Sequence, residues 1–133
     1  MSTQFILTKA YTEKLFETLF SDPLTGITTY FDPSMKFIAV QEEKVYTLEE
    51  WTQIGGIITS RLKDGKVAMV PTAIDVAGNK AFMELAGTAT QLNGKPYNNR
   101  YVWILIFNET GKVVELREYF DTALVQELMQ TNP

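Results

Sequence analysis

YNNRYVWILIFNETGKVVELREYFD, residues 97 to 121, decides the fold. Aromatic and β-branched residues, which pack well on a pleated surface, fill both arms around Glu109-Thr110-Gly111. The segment is a β-hairpin. Working outward, Asn93-Gly94 and Gly78-Asn79 punctuate two further runs of the same character, and Asn-Gly is a strong short hairpin signal. Residues 67–77, 80–92, 96–108 and 112–121 therefore form an antiparallel meander of four strands.

The N-terminal half is helical in period. Ala10, Tyr11, Leu15, Phe16, Leu19 and Phe20 share one helical face, with Thr8 as N-cap, which predicts a helix over 9–20. Residues 24–30 fit a short helix or a turn, and 35–40 a short strand. Thr47-Leu48-Glu49-Glu50 is a capping box, in which the Thr hydroxyl and the third-position Glu each satisfy an orphaned backbone N–H. The helix it opens carries Trp51, Ile54, Ile58 and Leu62 as its apolar stripe and ends near Lys63-Asp64-Gly65. A final helix covers 123–130. Helices first and a meander second make the fold α+β, a curved antiparallel sheet wrapped around N-terminal helices in one domain, residues 1–133.

Composition narrows the chemistry. The 133 residues contain no Cys and no His, which excludes thiolate catalysis, His-based metal sites and Ser-His-Asp triads. Acid–base work falls to carboxylates, Tyr or Lys. A net charge of −4 offers no basic stripe to nucleic acid, and no apolar run suits a membrane span. No phosphate-cradling glycine loop is present, so neither a cofactor nor a metal is expected. The start lacks a signal peptide, which points to a cytoplasmic protein.

Turn chemistry sets the expected register. A two-residue type I′ turn at Asn93-Gly94 pairs Glu84 with Trp103, and a three-residue loop at 109–111 pairs Trp103 with Arg117 and Asn99 with Asp121. One face then carries Ala81, Met83, Leu85, Val102, Ile104, Ile106, Leu116 and Phe120, with Arg100 and Glu118 as exceptions. The other carries Phe82, Glu84, Asn99, Tyr101, Trp103, Arg117, Tyr119 and Asp121, the aromatic and polar mixture of a small-molecule pocket. A one-residue slip in the last turn would instead set Arg100 against Asp121. The aliphatic face needs cover, and a homodimer supplies it.

Gly-Lys-Pro-Tyr-Asn-Asn-Arg-Tyr at 94–101, Gly-Lys-Val at 111–113 and Arg-Glu-Tyr-Phe-Asp-Thr-Ala-Leu at 117–124 resemble the C-terminal half of SnoaL-like proteins. These sit with polyketide cyclases, ketosteroid isomerases, limonene epoxide hydrolases and nuclear transport factor 2 in one superfamily. The resemblance implies a cone-shaped, cystatin-like α+β fold. It also implies an acid–base carboxylate at the end of the last strand, here Asp121. The lack of His sets aside His-dependent schemes, and the carboxylate–Arg–Asp trio of the epoxide hydrolases is not reproduced.

Two readings follow. In the first the protein is a cofactor-independent isomerase or cyclase, acting on a hydrophobic polyketide or terpenoid intermediate. Asp121, Glu84 and Tyr101 are then catalytic, and Asn99, Trp103, Tyr119, Arg117, Phe82, Trp51 and Tyr11 bind substrate. Tyr101 and Tyr119 could donate to a developing enolate. In the second the chain is a non-catalytic ligand-binding or dimerisation module. Asp121 is then the N-cap of the last helix and Glu84 is paired with Arg117.

Overall fold

The computed structural model describes residues 4–133. Helix α1 (Lys9–Ser21) starts where the Thr8 hydroxyl accepts the Tyr11 N–H at 3.0 Å, and buries Leu15, Phe16 and Leu19 on one face. Asp22 ends α1 and caps α2 (Pro23–Tyr30) through the Thr25 N–H, with Pro23 supplying a helical φ at the start. The stretch that fitted helix or turn is thus a helix. Gly26 is what lets it pack: a Cβ there would lie 2.6 Å from Leu19 Cα.

Strand β1 (Phe31–Ala39) starts four residues before the sequence reading and pairs with β2 (Lys44–Thr47). Helix α3 (Leu48–Thr59) carries the full capping box, Glu50 N–H to Thr47 Oγ1 at 3.1 Å and Thr47 N–H to Glu50 Oε1 at 3.0 Å. It stops at Thr59, three residues short of Leu62. The backbone turns instead through the positive-φ pair Asp64 and Gly65, and Leu62 joins Tyr97 and Leu128 in a small second core.

Strands β3 (Ala68–Ala77), β4 (Lys80–Thr90), β5 (Pro96–Tyr97), β6 (Arg100–Phe107) and β7 (Val113–Phe120) precede helix α4 (Thr122–Thr131). The sheet order is β2-β1-β7-β6-β4-β3, with β5 on β4. The meander pairs antiparallel as expected, but β1 runs parallel to β7, so the sheet is mixed. That parallel pair satisfies a backbone edge of β7 that would otherwise be open. The sheet curls into a half-barrel with α1, α2 and α3 on its concave side. No helix among the described residues is long and apolar enough to cross a membrane.

Both hairpin registers differ by one residue from those expected. At the first turn Asn93 does not take the positive φ that a type I′ turn demands; only Gly94 does, at 91°. Gln91 then pairs with Lys95 across a three-residue loop, and Met83 rather than Glu84 faces Trp103. At the second turn the three-residue loop with Gly111 at φ 85° forms as read. A bulge follows, because Phe107 pairs with Val113 but Ile106 pairs with Glu115, leaving Val114 unmatched. The bulge advances β7 by one residue, so Trp103 faces Glu118 and Tyr101 faces Phe120.

The strand faces are redistributed accordingly. Ala81, Met83, Leu85 and Leu116, expected on an association face, are buried in the main core with Trp103, Leu105 and Phe107. Removing a Leu, Met or Phe side chain from water contributes about 1.5–3 kcal/mol each. That core surrounds the sheet's concave side and leaves a cavity toward one end.

Candidate active site

The concave face, α1–α3 and the segment after α3 enclose a cavity of about 770 Å³. Its walls are mainly apolar and aromatic: Leu19 and Phe20 of α1, Ile27 of α2, Phe37 of β1, Tyr46 of β2, Trp51 and Ile58 of α3, Met69 of β3. Strands β6 and β7 add Tyr101, Trp103, Glu118 and Phe120. Trp51 and Trp103 meet edge to face at 6.2 Å, with Phe37 stacked 5.9 Å from Trp51.

Glu118 is the charged side chain set deepest in this wall. Its Oε2 accepts the Trp103 indole N–H at 2.6 Å, and among the described residues no group donates to Oε1. The side chain is part-buried in the cavity wall. That burial pushes its pKa up to about 7, against the lowering effect of the indole bond and with a further push from Glu42 at the rim. A carboxyl poised there exchanges a proton in either direction at neutral pH.

Phenols stand beside it. The Tyr101 hydroxyl lies 3.5 Å from the Tyr97 hydroxyl, which in turn accepts from Asn99 Nδ2 at 3.3 Å. Burial first, then Tyr97 and the nearby Glu118, hold the Tyr101 pKa far above its ordinary value, so it remains a hydrogen-bond donor. Gly87 makes room for this ring: a Cβ there would sit 3.1 Å from Tyr101 Cε2.

Of the residues singled out from sequence, Tyr101, Trp103 and Trp51 line the cavity. The others stand elsewhere. Glu84 projects from the convex face, exposed, because the β4 register places even-numbered residues outward. Arg117 and Tyr119 are turned to the convex side by the β7 bulge, and Arg117 pairs with Glu115 at 2.6 Å instead of with Glu84. Phe82 lies on the same convex face, 37% exposed.

Asn99 is buried, but its side chain joins backbone to backbone: Oδ1 accepts the Asp121 N–H at 3.0 Å and the Arg100 N–H at 2.8 Å. Asp121 is exposed and caps α4, its Oδ1 accepting the Leu124 N–H at 3.2 Å. Tyr11 pins the β6–β7 turn, donating to the Gly111 carbonyl at 2.6 Å, outside the cavity lining. Sequence reasoning missed Glu118. The signal was present, since an acidic residue on an otherwise aliphatic face is either a costly burial or evidence that the register is off by one.

No family model and no curated protein matches the sequence. Solved structures do match in fold. A protein named as a SnoaL-like polyketide cyclase from Jannaschia sp. CCS1 superposes with a TM-score of 0.74 over 93% of this chain and 94% of its own, at 14% identity. An NTF2-like protein of unknown function from Burkholderia pseudomallei K96243 gives 0.73 over 90% and 94%, at 15% identity. IdmH, named as a polyketide cyclase, from Streptomyces antibioticus gives 0.73 over 91% and 96%, at 12% identity. The chain therefore has the NTF2-like, SnoaL-like fold, as the C-terminal motifs implied.

Proposed function

We propose that this protein is a cofactor-independent isomerase or cyclase that moves a proton on a hydrophobic small molecule of the polyketide or terpenoid kind. The observation that carries the reading is Glu118, a carboxyl near neutrality with one oxygen open to an apolar cavity of about 770 Å³. Glu118 as carboxylate removes a proton from carbon beside a carbonyl, and as acid it returns that proton elsewhere. Tyr101, backed by Tyr97, donates to the oxygen on which enolate charge collects. Trp51, Trp103 and Phe37 hold the apolar body. The polyketide-cyclase names of the fold neighbours agree with a substrate of this class.

The test is α-proton exchange in D2O on a panel of β,γ-unsaturated cyclic ketones, followed by NMR. Exchange should rise with pH through about 7, the Glu118 transition. Tyr101→Phe should lower it roughly 10²–10³-fold, the usual loss for one oxyanion donor. A profile that ignores pH between about 5 and 9 would remove Glu118 from the mechanism.

A second reading, a ligand-binding module that self-associates, draws on the convex face. Phe82 and Tyr119 stand 37% and 38% exposed there, beside part-buried Val102, Ile104 and Ile106. We propose that this patch, smaller than the aliphatic face expected from sequence, forms the homodimer contact. Sedimentation should show two chains, and Ile104→Glu should give one.

A further inference from the structure

Charge around the cavity is mainly acidic. Glu118 in the wall and Glu42 at the rim bring two carboxylates to it. The ion pairs among the described residues, Lys95 with Glu127 and Arg117 with Glu115, lie elsewhere. Lys66, the basic residue of the lining, is exposed at the mouth, outside ion-pair distance of either carboxylate. Helices α1–α4 contribute no charged side chain to the lining.

The aromatic walls lean the same way. Trp51 meets Trp103 edge to face at 6.2 Å, Phe37 stacks on Trp51 at 5.9 Å and Phe20 on Trp103 at 6.2 Å, and this cluster walls the space beside Glu118 with aromatic surface. Trp103 occupies one carboxylate oxygen with its N–H, which leaves Oε1 as the open polar atom. A desolvated carboxylate set in an aromatic wall, with no ion-pair partner among the described residues, is a pattern that recognises ammonium groups.

We infer that the cavity contains a subsite for an organic cation, an ammonium or iminium nitrogen held by Glu118 Oε1 in the space walled by Trp51 and Trp103, on a ligand whose apolar body fills the rest. This rests on the cavity being the working site and narrows its substrate class to hydrophobic amines and their imines. A nitrogen cation there holds Glu118 ionised, in its base form. The titratable groups facing Glu118 are Glu42 after β1 and Tyr101 on β6, with Tyr97, Tyr46 and Lys66 further round the wall. Of these, Tyr101 is held protonated by its burial, so the pH response of cation binding is assigned to Glu118.

The experiment titrates benzyltrimethylammonium and its neutral carbon isostere neopentylbenzene into the protein, at about pH 8.5 and about pH 5.5, on either side of the Glu118 transition. At the higher pH the cation should bind about tenfold or more tighter than the isostere. At the lower pH that preference should shrink severalfold. Glu118→Gln should bind both probes alike at both pH values, and the pH effect in the unaltered protein reports the same interaction should the variant not fold. Equal affinities at the higher pH, or a preference that survives Glu118→Gln, overturn the subsite. If affinities are equal while ketone exchange persists, the cation subsite fails and the acid–base reading stands. If the cation is preferred and exchange is absent, the reverse holds.

Discussion

The concave and convex faces of the sheet carry almost the same polar residue types on alternate positions of the same strands. Glu118, Tyr101 and Trp103 look inward; Glu84, Arg117 and Tyr119 look outward. Glu84 is exposed and Arg117 has an ionic partner at 2.6 Å, so neither group is pressed toward reactivity. Glu118 has one indole N–H and no cationic partner among the described residues, and its proton affinity moves to neutrality. Side-chain chemistry is shared between the faces; solvation is not, and solvation makes one glutamate a candidate acid–base.

The facing that the bulge sets can be broken directly. Exchanging two neighbours on β7, Leu116→Arg together with Arg117→Leu, would turn a guanidinium into the core and a leucine out of it. A buried unpaired guanidinium and the lost packing cost more than about 4–5 kcal/mol together, so no cooperative unfolding transition should remain by circular dichroism.

Next in size is the contrast between the two glutamates. Glu118→Gln should lower proton-exchange turnover about 10²–10⁴-fold, the range for a general acid or base, whereas Glu84→Gln should leave it within about twofold. Equal losses from both would erase the distinction between the faces.

The same contrast reads out in stability. Glu118 binds a proton more tightly folded than unfolded, so folding takes up a proton between its unfolded pKa of about 4.3–4.5 and its folded value of about 7. Stability should therefore fall as pH rises through that window, by about 3 kcal/mol in urea titrations, and stay lowered above it. Glu118→Gln should abolish that decline and be the more stable protein at alkaline pH.

The smallest effect concerns Asp121. Asp121→Ala removes the α4 cap and should cost about 1 kcal/mol. Turnover should not change, because Asp121 is exposed and stands outside the cavity lining. A hundredfold rate loss there would return it to the mechanism.

Elements that rest on local signals were legible in the sequence. Thr8, the Thr47–Glu50 capping box and the glycine turns each act within a few residues, and the helices and strands they bound stand close to where they were read. The site was less legible, because which face a residue occupies depends on register, and register turned on two details. One was whether Asn93 adopts a positive φ; the other was a bulge at Val114 imposed by packing Leu116 inward. Neither leaves a composition signal. The alternate spacing of Tyr101 and Trp103 on β6 survived both slips, since that strand was the common reference for its neighbours.

Both of the chain's two tryptophans line the cavity, and one of them donates its indole N–H to the carboxyl whose proton is in question. Indole emission depends on the charge and polarity near the ring. The whole tryptophan fluorescence of this protein therefore originates at the site. Protonation of Glu118, arrival of a ligand and departure of a product would each be written into the same optical signal, so the protein carries its own label at the position where one would be placed by design.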